Sequence, residues 1–135
     1  MAQLTGGCLC GGVRYNYEGD VAKAVYCHCE DCRRTTGSAF NVGVGVKARS
    51  LVVDGAPHSF TKRGDSGAEL TRHFCASCGS PLFTTSPKHP DMVYLKGGTL
   101  DDPTVVQPGA EIWATSAVSW SRIAPDLPRF ARGRV

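Results

Sequence analysis

The sequence lacks any uninterrupted apolar run that approaches the roughly 18 residues needed for a membrane-spanning helix. Residues 1–5 contain neither the charged segment nor the apolar stretch that begins a secretory signal. Apolar residues at helical spacing are also scarce, which makes a helical bundle a poor fit. We therefore expect a mainly β protein without a membrane partner, in the cytoplasm, where thiols stay reduced.

Charge of either sign is also in short supply. The 135 residues include 15 Lys and Arg against 12 Asp and Glu, a formal net charge of +3, and the basic residues are scattered. A nucleic-acid-binding domain usually concentrates its basic residues on one face. We therefore expect no nucleic-acid partner. The length suits one domain over residues 1–135.

Cysteine, by contrast, is abundant, with seven residues in three tight clusters. A C-x-C pair followed far downstream by C-x-x-C-G supplies four ligands, enough for a closed tetrahedral zinc site. The remaining C-x-C-x-x-C set supplies three ligands and leaves one coordination position open. The two sets, which we call the four-cysteine set and the cysteine trio, are Cys8, Cys10, Cys75 and Cys78, and Cys27, Cys29 and Cys32.

Disulfides are the main alternative for these cysteines. Two residues at i and i+2 on a strand have Cα atoms about 6.6 Å apart, near the upper limit for a bridge. The odd cysteine count and the expected reducing compartment also favour metal binding. Redox-active or unpaired thiols remain the other alternative.

Short alternating segments separated by Gly and Pro predict strands. Helical turns are predicted only at 31–37, after the trio, and at 123–130, where two prolines keep any helix short. The predicted strands are 13–17, 40–46, 51–53, 70–74, 82–85 and 92–95. Gly11 and Gly79 follow two of the cysteine pairs, where positive φ lets backbone amides approach the thiolates.

Three blocks of sequence carry a family resemblance: GCLCGGVRY at 7–15, CHCEDCRRTTGSAF at 27–40 and FCASCGS at 74–80. With these blocks in this order, the chain resembles the glutathione-dependent formaldehyde-activating enzymes, a family that includes vertebrate centromere protein V. Many members carry Ser-Lys-Ala-Pro-Trp near the C-terminus. Here residues 116–120 keep the serine and the tryptophan but not the lysine and the proline.

The resemblance implies a β-tent zinc-binding fold of antiparallel strands with short helical turns. It further implies two zinc ions per chain. The four-cysteine set would hold a structural zinc, and the catalytic zinc would be held by Cys27, Cys29 and Cys32.

The implied activity is that of a carbon–sulfur lyase similar to S-hydroxymethylglutathione synthase. A thiol such as glutathione would add reversibly to formaldehyde or to another small electrophile. An open zinc site suits this chemistry because a bound thiol is deprotonated and a carbonyl is polarised. Two alternatives stay open: a non-catalytic zinc module for protein association, and a lyase or hydrolase for a different electrophile.

Arg33 and Arg34 directly follow the trio and are candidates for binding a substrate carboxylate by paired hydrogen bonds. Their alternative is a solvated turn in which they pair with Glu30 and Asp31.

His28 lies between two trio cysteines, and on an extended backbone its side chain points away from the metal, which suggests a supporting or buried structural role. His73 precedes Cys75 and could support that ligand, or could simply occupy a strand face. Trp113 and Trp120 could line a cleft or lie in the core.

Overall fold

The computed structural model describes residues 2–133, which form ten strands and one α-helix, α1 (Glu30–Thr36). Short 3₁₀ helices cover Ala48–Ser50, Gly97–Thr99, Pro103–Val105 and Ala114–Ser116. The strands are β1 (Ala2–Gly7), β2 (Arg14–Gly19), β3 (Ala24–Cys27), β4 (Asn41–Lys47), β5 (Leu51–Asp54), β6 (His58–Arg63), β7 (Glu69–Phe74), β8 (Pro81–Thr85), β9 (Met92–Lys96) and β10 (Pro108–Ile112).

The strands form two sheets. The smaller has the order β1-β2-β5, and the larger has the order β10-β3-β4-β9-β8-β7-β6. Neighbouring strands run antiparallel except β10, which lies parallel to β3. This arrangement confirms the mainly β, β-tent prediction.

The core includes side chains from both sheets. Tyr15 and Tyr17 of the smaller sheet are each 1% exposed, and they share a buried cluster with Val44, Val46 and Leu95 of the larger sheet. These residues alternate with polar or small neighbours along their strands, so the pleat directs them to one side. Each such side chain contributes about 1.5–3 kcal/mol when it leaves water.

The alternating segments predicted as strands are confirmed, and the turn predicted at 31–37 is α1. The helical turn predicted at 123–130 is wrong, since these residues form bends and turns without a helix. The patterns also miss β1, β3, β6 and β10. Every residue of β6 is exposed, so it carries no buried stripe to recognise. Among residues 2–133, no helix has the length and apolar character needed to cross a membrane.

Candidate metal centres

The four-cysteine set joins the turn after β1 to the turn between β7 and β8. Its four sulfur atoms all lie within 4.8 Å of one another, with Cys8–Cys10 at 3.6 Å and Cys10–Cys75 at 3.7 Å. A tetrahedral zinc site with Zn–S bonds of about 2.3 Å places its sulfurs about 3.8 Å apart, whereas a disulfide requires about 2.0 Å. The spacing therefore fits a tetrahedral metal site and not a bridge.

The turn geometry differs from the extended segment expected at Cys8 and Cys10. Strand β1 ends at Gly7, so both cysteines lie in a tight turn, with Leu9 between them 88% exposed. Gly11 has φ 79°, and Gly79, after the downstream pair, has φ 78°. Both values lie in the left-handed region that favours glycine, as the sequence predicted.

Backbone amides approach the sulfurs of the first turn. The N–H of Val13 donates to Cys8 Sγ at 3.2 Å, and the N–H of Gly12 donates to Cys10 Sγ at 3.4 Å. Donors in these positions stabilise thiolates, the form in which cysteine binds a metal.

Ser80 is a supporting residue that the sequence reasoning missed. Its Oγ lies 3.3 Å from Cys78 Sγ and accepts a hydrogen bond from the Leu9 N–H at 3.0 Å. Hydrogen bonding with the Ser80 side chain and with the backbone N–H groups of Ser80 and Cys10 lowers the pKa of Cys78 to about 5. Its position directly after C-x-x-C-G was the available signal.

The cysteine trio lies where β3 passes into α1. Cys27 ends β3, Cys29 is the N-cap of α1, and Cys32 is in the first turn of the helix. The Cys29 sulfur accepts a hydrogen bond from the N–H of Cys32 at 3.3 Å, which is a capping contact. All three sulfurs lie within 4.8 Å of one another.

These sulfurs cannot easily all be thiolates without a cation. Hydrogen bonding to Cys32 lowers the pKa of Cys27, while the pKa of Cys32 is raised by Cys27 and by burial. Opposite shifts of this kind mean that one sulfur keeps a proton. A divalent cation that prefers sulfur ligands, such as zinc, would remove that conflict, so the donor set fits such an ion.

The trio has no fourth protein ligand among residues 2–133, since no further cysteine, histidine or carboxylate joins the group. The four-cysteine set has a complete tetrahedral complement of its own. The structure thus separates the seven cysteines into the two groups that the spacing predicted.

A buried lysine lies close to the trio and was missed by the sequence reasoning. Lys96 is 7% exposed, and its ammonium group donates to Asn41 Oδ1 at 2.7 Å. Asn41 pairs with Cys27, and Gly43 pairs with Lys96, so register places Cys27 and Lys96 on one sheet face. Burial lowers the pKa of Lys96, while the nearby trio cysteines act in the opposite direction.

Of the two arginines that follow the trio, Arg34 forms an ion pair within α1. Arg34 Nε pairs with Glu30 Oε1 at 3.0 Å on the exposed side of α1. Asp31 pairs with Lys62 instead of with an arginine. Arg34 also lines a cleft beside α1, so a role in binding substrate stays a prediction for Arg33 and Arg34.

His28 is 2% exposed and packs edge-to-face against Phe40. Its Nε2 lies 3.0 Å from Glu111 Oε1, while its Nδ1 has no hydrogen-bond partner within residues 2–133. The residue does not join the group of sulfur ligands.

His73 occupies a strand face. Its ring stacks on Phe83 at 4.5 Å, and its Nε2 lies 3.0 Å from Thr85 Oγ1. Burial lowers the pKa of His73. Trp113 and Trp120 are both exposed, so neither belongs to the core.

The fold and the two sulfur groups define a mainly β protein with two candidate metal centres. Residues 3–116 match the family described as glutathione-dependent formaldehyde-activating enzyme. The chain belongs to this family.

A relative from Halomonas elongata, named "Putative glutathione-dependent formaldehyde-activating enzyme", is 31% identical over 106 residues. The match covers 73% of this chain and 66% of the relative, slightly under two thirds of its length. The crystal structure of a Rhodobacter sphaeroides protein has a similar fold. Its TM-score is 0.59 at 22% identity, and the match covers 79% of this chain and 98% of that one.

Proposed function

We propose that this protein is a cytoplasmic, zinc-dependent carbon–sulfur lyase in which residues 1–135 form one domain. It promotes the reversible addition of a thiol, glutathione or a similar molecule, to formaldehyde or another small electrophile. The observation that carries the proposal is the three-sulfur group, for which residues 2–133 supply no fourth ligand, in a chain that also contains a complete four-sulfur group. The family match and the name of the Halomonas relative support this choice of substrates.

The residues divide into two roles. Cys8, Cys10, Cys75 and Cys78 would hold a structural zinc, and Cys27, Cys29 and Cys32 would hold a catalytic one. A zinc ion in an open site deprotonates a bound thiol and polarises a carbonyl. The buried ammonium of Lys96 offsets negative charge on the trio, and Arg33 and Arg34 add positive charge where the thiol binds.

The reaction needs no oxidant or reductant. The thiol sulfur forms a bond to the aldehyde carbon, and the electron pair of the C=O π bond moves to the oxygen. That oxygen takes up the proton that the thiol has released, which gives an S-hydroxymethyl adduct. The reverse reaction breaks the C–S bond and regenerates the thiol and the aldehyde.

The test begins with the metal content and then uses cobalt as a spectroscopic probe of the trio. Glutathione should change the cobalt spectrum of the wild type, and the protein should form the adduct faster than the uncatalysed reaction, which is subtracted. Cys29→Ser should lose both effects while the four-cysteine set keeps its metal. A wild type with two bound metals, no spectral response to thiols and no rate above background would favour the non-catalytic interaction module. A thiol response without formaldehyde turnover would point to a different electrophile.

A further inference from the structure

A cleft of about 330 Å³ opens between α1 and the edge of the larger sheet formed by β6 and β7. Asp31 and Arg34 line it from the helix, and Phe60, Lys62 and Arg72 line it from the sheet. Asp31 is the residue before Cys32 in the chain, so α1 contributes residues both to the trio and to the cleft.

The cleft exists because the sheet curls. Strands β3 and β6 have four other strands between them, which in a flat sheet would separate them by about 24 Å. Yet Lys62 Nζ of β6 lies 2.8 Å from both carboxylate oxygens of Asp31, which is on the helix that follows β3. The far edge of the sheet is therefore folded back toward the trio.

Strand register places Arg72 on the sheet face that carries the trio. Arg72 pairs with Thr84, Thr84 pairs with Tyr94, and Tyr94 is two residues from Lys96 on the same strand. Directly paired residues, and residues two apart on a strand, share a face. Since Lys96 shares its face with Cys27, the same face continues from the trio to Arg72.

Among residues 2–133, Arg72 is the cation of this cleft that has no acidic partner. Lys62 pairs with Asp31 and Arg34 pairs with Glu30, but Arg72 has no ion pair or side-chain hydrogen bond within residues 2–133. It is nevertheless half-buried, and the positive charges of Lys62 and Lys96 lie near it. A partly desolvated guanidinium without a partner is suited to a carboxylate, which it can bind through two parallel hydrogen bonds.

An exposed aromatic side chain, Phe60, lies beside Arg72 in the cleft. Phe60 pairs directly with Arg72 across β6 and β7, and it is 62% exposed in the cleft. A ligand with a carboxylate at one end and a short chain behind it would cover Phe60 while pairing with Arg72. Inorganic anions lack the chain that would make this second contact.

We infer that Arg72 binds a carboxylate of the thiol substrate, with Phe60 beside the substrate chain, so that the protein prefers anionic peptide thiols to neutral ones. The inference rests on the proposed function, because it needs the substrate sulfur at the trio and the rest of the molecule in the cleft. It makes Arg72 a residue that determines specificity, in addition to the arginines that directly follow the trio.

The test compares glutathione, which carries two carboxylates, with its diethyl ester, in which both carboxylates are esterified and uncharged. Each is titrated into cobalt-loaded wild type, Arg72→Gln, Arg72→Lys and Arg63→Gln, with the cobalt spectrum as the readout. Arg63 is a matched control, since it neighbours Lys62 on β6 but projects from the opposite face. We expect Arg72→Gln to weaken glutathione binding about 10-fold to 100-fold, the loss of one charge-assisted contact. The diester should bind all four proteins equally, and Arg72→Lys should recover part of the glutathione affinity.

Three other results of these titrations would overturn the inference, alone or together with the proposed function. Equal glutathione affinity in wild type and Arg72→Gln would overturn the inference and leave the proposed function standing, because the thiol response persists. Should Arg72→Gln fail to fold, equal affinity of the wild type for glutathione and its diester would overturn the inference by itself. A wild type whose cobalt spectrum responds to neither thiol would overturn both.

Discussion

Lys96 and Asn41 are joined by a 2.7 Å hydrogen bond between neighbouring strands, and this bond holds a buried ammonium group on the sheet face of Cys27. Three thiolates around a divalent cation carry a net charge of −1. The lysine is therefore placed to compensate charge that the trio itself creates.

Replacing Lys96 by Met keeps most of the buried chain but removes its charge. We expect the trio to lose about 10-fold to 100-fold in zinc affinity, the usual effect of removing a group that supports metal ligands. Competition with a chelator measures this loss, and the four-cysteine set should keep its zinc. Lys47→Met, at a partly exposed lysine near Asp91, is the control. Identical zinc retention in Lys96→Met and in wild type would remove Lys96 from the site.

Cys78→Ser should destabilise the whole protein. The four-cysteine set connects positions 65 residues apart in the chain, as the Cys10–Cys75 contact shows, and metal binding there is coupled to folding. We expect an insoluble protein, or a free energy of unfolding lower by more than about 3 kcal/mol. Denaturant unfolding together with metal content provides the measurement. A variant with one zinc fewer and wild-type stability would contradict a structural role.

Cys29→Ser should leave the fold intact. The trio closes only short loops, and serine at the N-cap of α1 can still accept the Cys32 N–H bond that Cys29 accepts. We expect a change in stability below about 1 kcal/mol, one zinc retained and no adduct formation above background. Thermal unfolding and metal analysis check the first two, and a thiol–formaldehyde assay checks the third. Full activity, or loss of the fold, would show that the trio has a different role.

Acid should weaken a contact between the smaller sheet and the segment that follows β9. Arg14, together with the Thr5 hydroxyl, lowers the pKa of Asp101 from 3.8 to about 2. A carboxylate with a lowered folded-state pKa contributes stability above its unfolded pKa, and this is lost as pH falls from about 4 to about 2. The pair is largely exposed, so the effect should be small and should decrease in salt.

Asp101→Asn tests that prediction. The variant should be less stable than wild type at neutral pH, and the difference should shrink progressively as pH falls from about 4 toward 2. Denaturant unfolding of both proteins at each pH measures the difference. Acid also protonates the cysteines, but this affects both proteins and cancels in the comparison. A difference that persists unchanged at pH 2 would exclude charge as its origin.

Sequence alone determined the features that depend on near neighbours. Cysteine spacing separated four ligands from three, and the positions of Gly11 and Gly79 predicted the left-handed turns that the structure contains. Period-two alternation identified the strands with a buried stripe. Exposed strands such as β6 carry no such stripe, so the period-two alternation could not identify them.

Only the tertiary structure decided what surrounds the trio. Arg72 and Lys96 are 40 and 64 positions from Cys32, and no local pattern links them to it. Both share the sheet face of Cys27 because of the strand order and register, and the Asp31–Lys62 pair shows how far the sheet curls back. Ligand spacing is a property of a short chain segment, and a substrate cleft is a property of how distant segments pack. For that reason the sequence could predict the two cysteine groups and the arginines beside the trio, while Arg72 and Lys96 emerged as candidates only from the fold.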